Sequence, residues 1–288
     1  MADVIARISI ADPSDSRLDD FRDLNHSDRR PDRPGGKGLV IAEGVLVVSR
    51  LLGSRFGCRA VAGTAAKLDE LLADPATAEA VRRTGCRVME ISREVLAAVA
   101  GFDLHRGLVA SADRPVEHTV EQVIAGASTV VVLEGVGDHE NIGSMFRNAA
   151  GMGVDGVLFG AGCADPLYRR VVRVSMGHVL RTPFAHTGGT PTTWQRSLAL
   201  LADHGFTLVS LTPDPRARHI ADVLDPPGGV PPAKVALLVG AEGPGLTEHA
   251  MRATDCRARI PMAAGTDSLN LAQAAAIAFY ERQRSLRG

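Results

Sequence analysis

The feature that most constrains this sequence is a continuous apolar run, STVVVLEGV, at positions 128–136. β-Branched residues in an unbroken apolar run are typical of a strand buried on both faces of a parallel sheet. FTLVSLT and KVALLVG predict two further strands in the same half, separated by segments with helical character. The C-terminal half is therefore predicted to be an α/β domain, with a mostly parallel sheet and helices on both faces.

The N-terminal half alternates between shorter strand and helix patterns. CRAVAGT and CRVMEIS predict strands, and the stretches that follow them predict helices, so we expect a smaller α/β domain here. The polar, Pro-containing stretch DRPVEHT at 113–119 predicts the domain boundary. We divide the chain into residues 1–115, an N-terminal arm with a small α/β domain, and residues 116–288.

Three longer helices are expected in the C-terminal half. DPLYRRVVRVSMGHVL predicts one helix, and TPTTWQRSLALLADHG predicts another that ends at Gly205, a suitable C-cap. The chain closes with a long Ala-rich helix, for which Asp267 or Ser268 is the expected N-cap.

Composition narrows the class of protein. The 288 residues are 45% hydrophobic, enough for a buried core, yet no run approaches the roughly 18 apolar residues of a membrane helix. The N-terminus has no apolar segment of a secretory signal, and the four cysteines are scattered, so we expect a cytoplasmic protein. The nine histidines form no ligand motif, and no metal is expected. The net charge of −1 gives no general sign of nucleic-acid binding.

The first candidate functional segment is LEGVGDHENIGSMFRNAAGMGVDGVLF, residues 133–159. It runs from a strand through an acidic loop into a helix, and ligands of parallel sheets bind beyond the carboxyl ends of the strands. Asn141 and Arg147 are six residues apart, close enough to border one cleft. Alternatively, Asn141 only caps the helix and Arg147 pairs with Glu140 on the surface.

The second segment is VALLVGAEGPGLT, residues 235–247. Gly240, Gly243 and Gly245 follow an apolar strand and surround one acid, Glu242. Three glycines within six residues allow the backbone to approach a ligand closely, whereas a tight turn needs only one or two.

The third segment is RIPMAAGTDSLNLAQAAAIAFYE, residues 259–281. Ser268 and Asn270 lie at the expected start of the last helix, where backbone donors face outward. Capping explains Ser268, but it does not explain why Asn270 follows so closely.

Together the three segments resemble the signature motifs of the SpoU/TrmH branch of the SPOUT class, the RNA ribose 2′-O-methyltransferases. The similarity covers roughly residues 128–283, and the matching residues are Asn141-Ile142-Gly143 with Arg147-Asn148-Ala149, Gly240-Ala241-Glu242-Gly243 with Gly245-Leu246, and Ile260-Pro261-Met262 with Ser268-Leu269-Asn270. Residues 39–112 more loosely resemble the small RNA-binding domain that often precedes this domain.

The resemblance implies a trefoil knot, a homodimer, and a bent S-adenosyl-L-methionine as cofactor. It implies that Arg147, Asn141, Glu242, Ser268 and Asn270 are catalytic-site residues. It also implies a set of cofactor contacts, made mainly through the backbone: Thr212, Gly240, Gly243, Ile260 and Leu269. Relatives usually have a second small hydroxyl residue where this chain has Ala272, so no hydroxyl role is expected there.

The implied reaction is attack of a ribose 2′-oxygen on the methyl group of the cofactor. A ribose hydroxyl is a weak nucleophile, and an arginine with a pKa above about 12 is a poor base. We therefore expect Arg147 to stabilise the developing alkoxide and an adjacent phosphate rather than to remove the proton.

Two basic clusters are candidate RNA contacts. The loop HSDRRPDRPGGKG, residues 26–38, carries Arg29, Arg30, Arg33 and Lys37, and the second cluster is Arg169, Arg170 and Arg173. Either cluster is equally an ordinary solvated surface.

Three other functions compete with ribose methylation. The chain could be an RNA- or ribosome-binding assembly factor that has lost catalysis, a methyltransferase of the same fold acting on a base nitrogen, or a small-molecule nucleotide enzyme. The full polar set argues against the first, the S-L-N motif against the second, and the N-terminal domain against the third. The two-domain layout favours ribosomal RNA over tRNA.

Overall fold

A computed structural model describes residues 5–24, 38–263 and 265–287. The chain forms two compact units. The first consists of Met1–Val116 with Asp165–Arg181, and the second of Glu117–Ala164 with Thr182–Gly288. The division after Val116 lies next to the predicted boundary. Asp165–Arg181 belongs to the first unit, whereas the sequence analysis placed it in the second.

The described part of the first unit contains a five-stranded sheet in the order β1-β4-β3-β5-β2. Its strands are β1 (Ile8–Ile10), β2 (Leu39–Glu43), β3 (Gly57–Gly63), β4 (Arg87–Ile91) and β5 (Leu108–Asp113). β1, β4 and β3 are parallel, whereas β5 is antiparallel to β3 and β2. The small α/β domain expected in the N-terminal half is confirmed.

Helices of the first unit connect these strands. They are a 3-10 helix (Ser16–Phe21), α1 (Val45–Leu52), α2 (Ala65–Leu72), α3 (Pro75–Thr84) and α4 (Arg93–Ala100). Local sequence explains their ends: Asp74 caps α3 ahead of Pro75, and Ser92 caps α4. Buried apolar residues such as Leu96 and Val99 then attach α4 to the sheet core.

Ion pairs attach Asp165–Arg181 to the first unit. Arg114 forms a two-pronged pair with Asp165, at 2.6 and 3.0 Å. Arg169 pairs with Glu43, and its guanidinium lies 4.8 Å from the centre of the Phe102 ring. The segment holds α7 (Arg169–Val174) and a 3-10 helix (His178–Leu180), so the single helix predicted here is wrong. Left-handed backbone at Gly177, with φ of 81°, separates the two parts.

The described part of the second unit contains a seven-stranded sheet in the order β10-β12-β9-β11-β6-β7-β8. All its pairings are parallel, which confirms the expected sheet type. The strands are β6 (Thr129–Glu134), β7 (Gly156–Phe159), β8 (Phe184–His186), β9 (Phe206–Leu211), β10 (Arg218–His219), β11 (Lys234–Gly240) and β12 (Cys256–Arg259).

Helices flank this sheet on both faces: α5 (Val120–Ile124), α6 (His139–Gly151), α8 (Leu198–Asp203), α9 (Ile220–Leu224), α10 (Glu248–Arg252) and α11 (Leu271–Ser285). Side chains alternate along each strand. Val130 and Val132 therefore pack with Leu198 on one face, while Phe159 meets Phe146 of α6 on the other. The trefoil knot stays a prediction.

Two helix predictions need correction in the second unit. The segment before Gly205 begins with a 3-10 helix (Trp194–Ser197) and becomes α-helical only at Leu198. α11 is capped by Asn270, whose side chain accepts hydrogen bonds from Ala272 N and Gln273 N, and not by Asp267 or Ser268. No helix within residues 5–24, 38–263 and 265–287 has the length and apolar character needed to cross a membrane.

A buried arginine joins α11 to the amino ends of the central strands. Arg282 is only 2% exposed. Its guanidinium donates to Thr129 Oγ1 at 3.1 Å and to the carbonyl oxygens of Pro232 and Ala233 at 2.7 and 2.8 Å. Burial lowers the pKa of Arg282, and these acceptors offset part of the desolvation cost.

Replacing this arginine is expected to destabilise the second unit. The change Arg282→Met keeps an unbranched chain but leaves the buried Thr129 and the carbonyl groups of Pro232 and Ala233 without their donor, which we expect to cost about 3 kcal/mol of unfolding free energy. Urea denaturation measures this value. Arg287→Met, at an exposed position on the same C-terminal segment, is the control and should stay within about 0.5 kcal/mol. Equal stabilities of the two variants would contradict the stabilising role of the buried Arg282 guanidinium.

Candidate functional site

A pocket of about 420 Å³ lies at the carboxyl ends of β9, β11 and β12, which are neighbours in the sheet. This is where parallel α/β sheets bind ligands, and the volume is in the range of small-molecule sites. All five predicted cofactor contacts line it, together with three of the five predicted catalytic residues: Thr212, Gly240, Gly243, Ile260, Leu269, Glu242, Ser268 and Asn270. The structure thus brings together residues from the second and third sequence segments.

The wall after β11 is a loop, residues 241–246, that folds back on Gly240, and we call it the glycine loop. Gly245 N donates to Ala241 O at 2.9 Å and closes the turn. A Cβ atom on Gly240 would lie 2.1 Å from the carbonyl carbon of Gly245, so only glycine fits. Gly243 and Gly245 have φ of 84° and 70°, in the left-handed region that glycine adopts without strain. The glycines therefore shape the loop against the pocket.

The amide of Asn270 connects the three sequence segments. Its Nδ2 donates to Asn141 Oδ1 at 2.9 Å and to Glu242 Oε1 at 2.7 Å. Its Oδ1 accepts from Ala272 N at 2.9 Å and from Gln273 N at 3.4 Å and so caps α11. Every hydrogen-bonding direction of this amide is used, which fixes its orientation and the positions of its neighbours. Asn270 is therefore a structural hub as well as a candidate site residue.

The start of α6 follows from its own cap. Asp138 accepts from Glu140 N and Asn141 N, so the alternative that Asn141 merely caps this helix is wrong. Asn141 is instead 8% exposed and turned toward Asn270. Asn148, seven residues on and thus on the same face, donates to Ala272 O at 2.9 Å. Two hydrogen bonds, Asn270 to Asn141 and Asn148 to Ala272, therefore connect α6 with the start of α11.

Arg147 lies on a different side of α6. Its side chain is exposed, and within the described residues it has no hydrogen-bond or ion-pair partner and does not line the pocket. One residue corresponds to about 100° of helical rotation, so Arg147 is turned away from the face that Asn141 and Asn148 share. Its guanidinium is available to a ligand, and its catalytic role stays a prediction.

Thr212 lies in the pocket wall after β9, and the charged residue Asp214 follows it by two positions outside the pocket lining. Thr212 N donates to Ala258 O at 2.9 Å, and Thr212 Oγ1 accepts from Asp214 N at 3.3 Å. Hydrogen bonds from Arg216 lower the pKa of Asp214 to about 2. The carboxylate is therefore ionised at neutral pH.

The predicted RNA contacts have different outcomes. Arg29, Arg30, Arg33 and Lys37 lie outside the described residues. Arg169 is held by Glu43 and Phe102 with a largely buried side chain, which removes it from the second basic cluster predicted to contact RNA. Arg170 and Arg173 are exposed on α7. They stay candidates for RNA contact.

Sequence reasoning missed Asn148 and Glu134. Asn148 was quoted only as part of a motif, and Glu134 only as an unremarked residue within the apolar run at 128–136 and the segment at 133–159. An acidic residue at the end of an otherwise apolar, fully buried strand indicates a specific structural role, because a buried carboxylate needs hydrogen-bond donors. Glu134 accepts hydrogen bonds from Trp194 Nε1 at 2.7 Å and from Thr247 N at 2.7 Å.

The close approach at Gly240 leads to a prediction. Gly240→Ala forces the Ala241–Leu246 loop away from the strand end, which we expect to cost about 1–3 kcal/mol and to weaken ligand binding at least tenfold. Calorimetric titration with S-adenosylhomocysteine, together with thermal unfolding, measures both effects. Gly151→Ala is the matched control, because a Cβ atom there meets nothing within 4 Å. Unchanged affinity in the Gly240 variant would contradict the close-packed loop.

Known proteins resemble this chain in sequence. Residues 128–280 match the SpoU rRNA Methylase family. An uncharacterized tRNA/rRNA methyltransferase of Mycobacterium tuberculosis is 56% identical over 276 residues, covering 96% of this chain and 91% of the relative. The 23S rRNA (guanosine-2'-O-)-methyltransferase RlmB of Bordetella pertussis is 30% identical over 214 residues, covering 73% and 83%.

A solved structure has the same fold. The AdoMet-bound rRNA methyltransferase from Sinorhizobium meliloti has a TM-score of 0.78, covers 96% of this chain and 98% of its own, and is 22% identical. This likeness concerns the fold, whereas the family is established by the sequence matches. The resemblance seen in the three motifs is confirmed, and the chain belongs to the SpoU family of RNA methyltransferases.

Proposed function

We propose that this RNA methyltransferase transfers a methyl group from S-adenosylmethionine to a ribose 2′-hydroxyl of structured RNA, with ribosomal RNA as the substrate class. The observation that carries the proposal is the Asn270 network, in which the amide of a pocket-lining residue bonds to both Asn141 and Glu242. A chain selected only to bind RNA has no need of this polar set beside a glycine-walled pocket.

The pocket suits the methyl donor. Its 420 Å³ and its walls of backbone and small or apolar side chains match a ligand with an adenine ring and a short polar tail. Gly240, Ile260 and Leu269 would hold the ligand chiefly through their backbone groups, because Gly240 has no side chain and the other two offer only apolar ones. When bound, S-adenosylmethionine supplies an electrophilic methyl group on sulfonium sulfur.

The polar residues would have two roles, positioning of the reacting groups and stabilisation of charge. The bond to Asn141 fixes the orientation of the Asn270 amide in the pocket wall, which would reduce the entropy cost of aligning the reacting groups. Glu242 accepts from Asn270 and keeps the glycine loop beside it. Arg147, whose guanidinium has no partner among the described residues, would bind the RNA phosphate and stabilise negative charge on the ribose oxygen.

Ribosomal RNA is favoured by the relatives as well as by the two-domain layout. The RlmB relative, 30% identical over 83% of its length, is named as a 23S rRNA guanosine-2'-O-methyltransferase. The relative from Mycobacterium tuberculosis is named for both tRNA and rRNA. The first unit, with exposed Arg170 and Arg173, would supply RNA contacts outside the pocket.

Arg147→Ala tests the proposed reaction. We expect a loss of about 100-fold or more in methyl transfer, because an interaction made to developing charge is removed, while binding of S-adenosylhomocysteine is unchanged. Cells lacking the protein are complemented with each variant, and ribosomal and transfer RNA are mapped for sites that resist alkaline cleavage. A 2′-O-methyl group blocks that cleavage, whereas a methylated base does not.

The control and the competing functions give different outcomes. Arg252→Ala removes an exposed arginine on α10, with a side chain 72% exposed, and should methylate normally. Full activity of the Arg147 variant would refute the role of this residue. Base methylation without ribose methylation would favour the base-nitrogen alternative. RNA binding with no methylation of any kind by the wild-type chain would favour the assembly factor.

We further propose that the enzyme is a homodimer, which the family resemblance implies, and that α11 contributes to the interface. Ile277 and Tyr280 are 38% and 54% exposed and lie three residues apart, so they form one apolar strip on this helix. Tyrosine is among the residues enriched at protein interfaces, and the buried centre of an interface is more apolar than the rest of the surface.

Tyr280→Glu is expected to shift the protein toward monomers, because it introduces a charge into the apolar centre of the contact. Light scattering coupled to size-exclusion chromatography measures the mass. Leu286→Glu, near the end of the described chain and 55% exposed, is the control and should leave the mass unchanged. A wild-type monomer, or a dimer unaffected by the Tyr280 change, would contradict this interface.

A further inference from the structure

Glu134 is a buried carboxylate at the end of β6, the strand that pairs with the central strand β11. It is the last residue of β6, it is 5% exposed, and in the sheet register it lies opposite Gly240. Removing a carboxylate from water is costly unless its oxygens accept enough hydrogen bonds. Its surroundings therefore show what holds it there.

Three residues supply four hydrogen bonds to this carboxylate. Oε1 accepts from Trp194 Nε1 at 2.7 Å, from Thr247 Oγ1 at 2.9 Å and from Gln195 Nε2 at 3.3 Å. Oε2 accepts from Thr247 N at 2.7 Å. All four donors are uncharged groups. Hydrogen bonds to an ionised acceptor are roughly twice as strong as neutral ones, so the group is tightly held.

Thr247 is the residue at which the glycine loop ends. The Ala241–Leu246 loop leaves the sheet at Gly240 and returns at Thr247, directly before α10. Its first end is fixed by strand pairing, and its second end is fixed by the two bonds between Thr247 and Glu134. Between these ends lie Glu242 and Gly243, which line the pocket.

Helix capping alone does not account for this arrangement. Thr247 Oγ1 accepts from Ala250 N at 3.2 Å, which caps α10 without any help from Glu134. The proton of the same hydroxyl and the backbone N–H of Thr247 remain, and both are donated to Glu134. The carboxylate thus holds the point where the loop returns to the sheet.

We propose that Glu134 is a positioning residue for the methyl donor, which acts through Thr247 to keep the Ala241–Leu246 loop in its binding shape. The identity of the ligand rests on the proposed function. Glu134 does not line the pocket, so its effect on binding would pass through the loop.

Glu134→Gln is the sharpest test of this proposal. The amide has nearly the same size, but its NH₂ group meets the donors that Oε1 or Oε2 now accepts from, so the anchor is broken. We expect the Kd for S-adenosylhomocysteine to rise about tenfold, which corresponds to about 1.4 kcal/mol. The KM for S-adenosylmethionine should rise by a similar factor, with a smaller change in kcat at saturating cofactor.

Arg282→Lys is the matched control for lost stability. Arg282 is buried at the amino ends of the same two central strands, where it bonds to Thr129 and to Ala233, next to β11. Both variants should unfold at lower temperature, but only Glu134→Gln should weaken binding of S-adenosylhomocysteine. Equal affinities of the two variants would overturn the proposal, since Glu134 would then be a structural residue only.

A second pair of variants tests the path through Thr247. Thr247→Val removes the hydroxyl, whereas Thr247→Ser keeps it, so the serine variant should retain the wild-type Kd while the valine variant raises it. Trp194 is the sole tryptophan of the chain, and its indole N–H donates to Glu134. Its fluorescence therefore reports the state of the anchor directly. An unchanged Kd in the valine variant would overturn the proposal.

The binding measurements need no RNA, so they separate this inference from the proposed function. If the wild-type chain binds S-adenosylhomocysteine and Glu134→Gln binds it more weakly, the positioning role holds even if no RNA is methylated. If the wild-type chain does not bind the compound, both proposals fail.

Discussion

The side-chain amide of Asn270 is the interaction on which the site depends. It joins Asn141 from α6, Glu242 from the glycine loop and the first turn of α11, although Asn141 is 129 positions away in sequence. An amide has two donor hydrogens and one acceptor oxygen, and here all are used. Three segments that lie far apart in sequence are thereby joined by one side chain of the pocket wall.

The two ends of the central strands carry different buried groups. At the amino end, Arg282 bonds to backbone carbonyl groups and attaches α11 to the sheet. At the carboxyl end, Glu134 bonds to the residue at which the glycine loop returns. Each of these two buried side chains is held by hydrogen bonds with uncharged groups, which fix its geometry because every bond has a direction. One end secures the fold and the other shapes the pocket.

Element types and the order of strands and helices could be predicted where local physics decides them. The run Thr129–Glu134 is too apolar for any place except the middle of a sheet, and Pro75 after Asp74 marks a helix start. The pocket residues Gly240, Glu242 and Asn270 were predicted from motifs. Local patterns could not show that Asn270, rather than Ser268, caps α11, because both residues are suitable caps and only the bonds to Asn141 and Glu242 distinguish them.

The sequence alone predicted α/β structure in both halves of the chain and the motifs of an RNA methyltransferase. These features could be predicted because periodicity, helix caps and glycine spacing are each set by residues close together in sequence. Tertiary packing decided the rest. It moved Asp165–Arg181 to the first unit, paired Arg169 with Glu43 across 126 positions, and turned the end of an apolar run, Glu134, into the anchor of Thr247. Such partners lie too far apart in sequence for any local pattern to encode, and only burial reveals which charges must be satisfied.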